Sequence, residues 1–139
     1  MSEFKYDCCI ICEDKNYVNK LVSDLKTQRP YLKCMYEDIS GYGKFAANKL
    51  SKPMKESRKV IVIFSNNSET EETEYAAFTV IGDMIRNKQL NTSKLIPVKL
   101  TQDAVIPEEI EGFVCANALD DSFLNRLLIT LDGNYLFFL

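Results

Sequence analysis

A chain of 139 residues, 46% apolar and 27% charged, has the composition of one globular domain long enough to bury roughly two thirds of its unfolded surface. A net charge of −3 leaves no basic footprint for nucleic acid or an anionic membrane, and no apolar run reaches the length of a spanning helix. The N-terminus lacks the basic and apolar regions of a secretory signal, so the expectation is a single soluble cytoplasmic domain over 1–139.

In chain order, Lys5–Cys12 is an apolar run that predicts a strand buried on both faces. Asp14 or Asn16 is placed to cap a helix whose stripe is Tyr17, Val18, Leu21, Val22 and Leu25. Pro30 closes it, and Leu32–Tyr36 predicts a second strand. Phe45, Leu50 and Met54 mark a second helix that Pro53 shortens or kinks. Lys59–Ser65 reads as a third strand, buried throughout its apolar run. Asn66-Asn67-Ser68 turns the chain, and Tyr75, Phe78, Ile81 and Ile85 then share one face of a helix from Glu74 to about Arg86. Lys94–Leu100 predicts a fourth strand, with Pro97 suggesting an edge or a bulge. Phe113–Cys115 reads as a short fifth strand, and Phe123, Leu124, Leu127, Leu128 and Leu131 as a last helix. Strand–helix alternation of this kind predicts a doubly wound, flavodoxin-like α/β domain with a parallel sheet.

Cys8, Cys9, Cys12, Cys34 and Cys115 invite a metal or a disulfide reading, and neither fits well. In a strand, Cys8 and Cys12 share a face but stand roughly 13 Å apart, too far for one tetrahedral ion. The chain has no histidine, which removes the Ser-His-Asp triad, the Cys-His pair and the usual mixed zinc site. An odd cysteine count without a signal peptide suits small apolar residues packed in a reduced core, with a redox role for one thiol left open. The common nucleotide fingerprints are absent too. Gly41-Tyr42-Gly43-Lys44 follows a strand and precedes a helix, so it serves either as an anion site or as backbone turns. A response-regulator reading fails, because Glu13-Asp14 is present but no aspartate ends the third strand.

Five blocks in order resemble a TIR (Toll/interleukin-1 receptor) domain. They are Tyr6-Asp7-Cys8-Cys9-Ile10-Ile11-Cys12, then Tyr36-Glu37-Asp38-Ile39-Ser40-Gly41, the strand VIVIFS, Leu95-Ile96-Pro97-Val98, and Phe123-Leu124. Ser40 stands where that family has a proline, Glu37 where it has a basic residue, and Leu124 where it has tryptophan. The likeness is greater to animal receptor and adaptor members than to bacterial or plant ones. It implies a five-stranded parallel sheet flanked by helices. It also implies a signalling module that pairs with other TIR domains, its own copies or those of a receptor or adaptor, downstream of innate immune receptors. The pairing surface would be the BB loop, here Glu37, Asp38, Ile39, Ser40, Gly41, Tyr42, Gly43 and Lys44, and no cofactor would be required.

Other members of that family cleave NAD⁺ to nicotinamide and ADP-ribose products, so the resemblance also makes NAD⁺ a possible substrate. Glu74 is then the candidate catalytic glutamate, with Glu69, Glu71 and Glu72 close enough for a shifted alignment to choose another. A carboxylate there holds the ribose hydroxyls and stabilises oxocarbenium charge as nicotinamide departs. Cys12, Glu13 and Lys44 are the candidate contacts to the dinucleotide. Glu13 and Asp14 together repel a pyrophosphate unless Lys15 or Lys44 compensates. The same acidic run also suits a plain helix N-terminus, where carboxylates complement the macrodipole.

Charge is segregated along the chain. Lys44, Lys49, Lys52, Lys55, Arg58 and Lys59 form a basic strip, and Glu69–Glu74 an acidic one, which fits either head-to-tail packing or two solvated faces. Ile39 and Tyr42 are apolar anchors at the loop tip. The end, Asn134-Tyr135-Leu136-Phe137-Phe138-Leu139, is apolar enough to expect docking on the domain or a junction with more chain.

Overall fold

The computed structural model describes residues 4–12, 14–38, 52–64, 94–104 and 116–131, with Glu37 and Asp38 described as backbone. Among the described residues the elements follow in order: β1 (Tyr6–Cys12), α1 (Lys15–Gln28), β2 (Cys34–Asp38), β3 (Ser57–Phe64) directly after the helical residues 52–56, β4 (Leu95–Lys99), β5 (Ala116–Asn117) and α2 (Phe123–Leu131). All pairings are parallel, in the order β2-β1-β3-β4-β5. This is the expected five-stranded parallel sheet flanked by helices.

The central strands need no polar face. Cys8 to Cys12 are all buried in β1, and every residue of β3 except Arg58 is buried. Continuous burial follows from a sheet covered on both sides. One face presents Cys8, Ile10, Cys12, Ile61, Ile63, Ile96, Val98 and Ala116 to the helices. Against it lie Val18, Leu21 and Leu25 of α1, spaced by three and four residues, and Phe123, Leu127, Leu128 and Leu131 of α2. Burying each of these apolar side chains contributes about 1.5–3 kcal/mol before the entropy of ordering is set against it. Cys9, Ile11, Val60, Val62, Phe64 and Leu95 alternate onto the other face and are equally buried.

Local chemistry sets the element ends. Asp14, rather than Asn16, caps α1: its Oδ1 accepts the Tyr17 N–H at 3.0 Å. At the other end the Arg29 N–H reaches the Leu25 carbonyl at 2.8 Å, and Pro30 follows. Lys26 sits in the last turn, where a cation suits the helix dipole. Asp120 leads into α2 by accepting from both the N–H and the hydroxyl of Ser122, each at 2.9 Å. Those bonds, the backbone one foremost, hold the Asp120 carboxyl below its ordinary value.

The starts of β2 and β3 differ from expectation by two residues each. β2 starts at Cys34 instead of Leu32, because Leu32 donates to the Arg29 carbonyl and so still belongs to the turn. The Lys33 N–H goes to Asp7 Oδ2 at 2.8 Å, and the ladder starts at Cys8↔Cys34. It then runs on to Asp38. β3 begins two residues early, at Ser57, directly after the helical residues 52–56. There the buried Ser57 hydroxyl donates to the Pro53 carbonyl at 2.7 Å as the chain leaves the helix. The described part of β5 is Ala116–Asn117, while the expected Phe113–Cys115 lies outside the described residues.

Pro97 lies neither at an edge nor at a bulge. It sits inside β4, in register with Val62 of β3, and β4 is second from the edge. Hydrogen bonding alternates along a parallel strand. Lys94 and Leu100 bond toward β3, and the Lys99 carbonyl accepts from Ala118 on the β5 side. Pro97 shares the parity of Lys99, so its missing donor faces the β5 side and costs the β3–β4 ladder nothing. The described β4–β5 ladder starts one residue later, at Val98↔Ala116.

Candidate functional site

A sheet ordered β2-β1-β3-β4-β5 reverses its winding between β1 and β3, and the crevice beyond the carboxyl ends of those strands is where such folds bind ligands. Cys12 ends β1 at that point and Phe64 ends β3. The Cys12 side chain is 2% exposed, and its Sγ accepts the Asp14 N–H at 3.4 Å. Its carbonyl accepts the Tyr36 hydroxyl from β2 at 3.0 Å. The thiol therefore shapes the turn into α1.

Asp14 and Tyr17 follow just beyond the end of β1, at the start of α1. The Asp14 carboxylate is engaged with the Tyr17 N–H, as the cap of α1 requires. The Tyr17 phenol is pushed up to about 12, by burial first and then by Cys12 and Asp24. It stays a neutral hydroxyl over the whole physiological range, available as donor and acceptor.

The remaining candidates divide by place. The backbones of Glu37 and Asp38 belong to the edge strand β2, in register with Ile11 and Cys12. Ile39, Ser40, Gly41, Tyr42, Gly43 and Lys44 lie outside the described residues, as do Glu13, Glu74 with its neighbours Glu69, Glu71 and Glu72, and the apolar end from Asn134 to Leu139. The basic strip is corrected by the structure. Arg58 and Lys59 sit on β3, and Lys59 is only 6% exposed, so it adds nothing to a surface strip. Burial, with Arg58 adding to it, draws the Lys59 ammonium below its ordinary value. Lys52 and Lys55 remain exposed on the helical residues 52–56.

Two relationships escaped the sequence reading. The Tyr36–Cys12 bond joins residues 24 apart, and the Cys8 thiol donates to Cys34 Sγ over 3.5 Å. Both depend on the register of two parallel strands, which cysteine spacing alone does not encode. Among the described residues no group of three or more His, Cys, Asp or Glu is placed to hold a metal ion. No helix among them is long and apolar enough to cross a membrane.

The TIR domain family model matches residues 6–117, from the first residue of β1 to the last of β5. The chain belongs to the TIR domain family. Among solved structures, this TIR domain is similar to a metazoan TIR-STING receptor from C. gigas, determined in complex with 2',3'-cGAMP. The two share 19% identity with a TM-score of 0.64, over 94% of this chain and 40% of the receptor chain. That likeness is one of fold, and this TIR domain spans well under half of the receptor's length. A comparison with curated proteins found no match.

Proposed function

We propose that this TIR domain is a cytoplasmic assembly module that pairs with other TIR domains, its own copies or those of a receptor or adaptor, in innate immune signalling. Family membership over residues 6–117 is the observation that carries the reading. The architecture supports it: β2 is the edge strand, so the chain enters residues 39–44 from the rim of the sheet. Ile39 and Tyr42 in that segment are the apolar anchors, and the exposed Lys52 and Lys55 of one copy would complement the acidic run Glu69–Glu74 of the next in head-to-tail packing. No cofactor is needed for this role. The test is the double variant Ile39→Asp, Tyr42→Ala followed by light scattering and circular dichroism. Loss of self-association in a folded protein is expected, and undiminished assembly rejects the loop as the pairing surface.

The winding reversal between β1 and β3 favours a second reading, NAD⁺ cleavage in that crevice, with Glu74 supplied by the segment after β3. Glu74 would stabilise oxocarbenium charge on the ribose, with Glu13 and Lys44 near the dinucleotide. The buried Cys12 would act through the turn it shapes. Nicotinamide release by wild type but not by Glu74→Ala supports this reading. No turnover by folded, clustered protein leaves assembly alone.

A further inference from the structure

We propose that Cys34 and Cys8 form a hydroperoxide-responsive dithiol, in which Cys34 is oxidised first and Cys8 closes a disulfide between β2 and β1. The two are register partners on neighbouring parallel strands, so their side chains leave the same face of the sheet. Their sulfurs are 3.5 Å apart, with the Cys8 thiol donating to Cys34 Sγ. Neighbouring strands lie about 4.8 Å apart, inside the range of Cα separations that a disulfide spans. The sulfurs need to approach by about 1.5 Å to bond.

The two thiols are not equivalent. Cys8 is fully buried, whereas Cys34 is half-buried on the edge strand, where a small oxidant reaches it. The bond from Cys8 holds the Cys34 thiol below its ordinary value, helped by Lys26 at the end of α1 and opposed by burial and Asp7. The same bond, with burial, pushes the Cys8 thiol up. Of the two, the accessible Cys34 sulfur is therefore the one that ionises more readily, and the thiolate is the nucleophile. Cys9 alternates onto the opposite face, and Cys12 lies roughly 13 Å along β1, so neither competes with Cys8.

The chemistry balances with one hydroperoxide. The Cys34 thiolate attacks the terminal peroxide oxygen, the O–O bond breaks, and the leaving alkoxide, or hydroxide when the oxidant is hydrogen peroxide, takes a proton and departs as an alcohol or as water. Cys34 is left as a sulfenic acid. Cys8 Sγ then attacks the Cys34 sulfur, the S–O bond breaks, and the departing hydroxide takes the Cys8 proton to leave as water. Two electrons pass from the sulfurs to the peroxide, and a thiol reductant reverses the bridge.

The experiment exposes the reduced, folded chain to equimolar hydrogen peroxide, blocks the remaining thiols and maps the digest by mass spectrometry. A monomer lighter by two hydrogens is expected, with Cys8 linked to Cys34. Cys8→Ser should instead accumulate a Cys34 sulfenic acid that a cyclic dione traps. Cys34→Ser should lose thiols about tenfold more slowly or less, and Cys115→Ser should cross-link like wild type. Cys34→Ala replaces the serine variant if circular dichroism shows that serine disturbs the sheet. A bridge that uses Cys9, Cys12 or Cys115, or undiminished oxidation without Cys34, overturns the assignment. So does a Cys34 that stays reduced.

Discussion

The Tyr36 hydroxyl donates to the Cys12 carbonyl over 3.0 Å, tying a side chain of the edge strand to the last residue of its neighbour. Tyr36 is in register with Ile10, so its ring leans along the strand to reach two residues further. Removing that hydroxyl leaves the ring packed but unties the end of β1. Tyr36→Phe is expected to lower stability by about 0.5–1.5 kcal/mol. Urea denaturation should show a lower midpoint at unchanged slope. Equal midpoints would mean that the bond contributes nothing net.

Asp14 links the end of β1 to the start of α1, and its carboxylate is the cap in use. Asp14→Ala is expected to cost about 1 kcal/mol, while Asp14→Asn, which keeps an acceptor oxygen, should lose only a small part of that. Thermal melts of the two variants distinguish the cap from a charge effect. An asparagine variant as unstable as alanine would show that charge, rather than the hydrogen bond, is what matters.

The sequence made the fold readable wherever periodicity and burial agreed. Val60 to Phe64 is apolar without interruption and became the buried part of β3, and the three–four stripe of Val18, Leu21 and Leu25 became the inner face of α1. Boundaries were lost where a long-range partner decided them. Leu32 looks like a strand residue until the Arg29 carbonyl and the Asp7 carboxylate fix the turn beside it. Pro97 argued for an edge because propensity does not say which neighbour a given N–H would face. Lys59 looked like part of a charged strip because composition ignores that β3 is covered. At the site, Cys12 was placed correctly at the end of β1, but its bonds to Asp14 and Tyr36 come from register, which one sequence does not print.

Ser57 is fully buried, and its hydroxyl serves the Pro53 carbonyl at 2.7 Å where helix gives way to β3. Ser57→Ala takes away that donor in a place shielded from water. The expected loss is about 1–3 kcal/mol, more than an exposed serine would cost. Chemical denaturation checks it, with Ser23→Ala on the exposed side of α1 as the comparison. Equal, small losses in the two variants would place water at the Pro53 carbonyl instead.

Tyr17 makes the pH dependence testable at the alkaline end. Its phenol is raised from 10.0 to about 12, chiefly by burial. Between those values the folded chain keeps a proton that the unfolded chain has released, so stability falls as pH rises. The contribution is complete below pH 10.0 and gone once the pH has passed about 12. Tyr17→Phe has no such proton, and its stability should decline less steeply across the same window. Absorbance of the phenolate gives a second readout, since wild type minus Tyr17→Phe isolates one of the seven tyrosines. That difference should titrate near 12, and a midpoint near 10.0 would show the ring to be open to water rather than packed against the core.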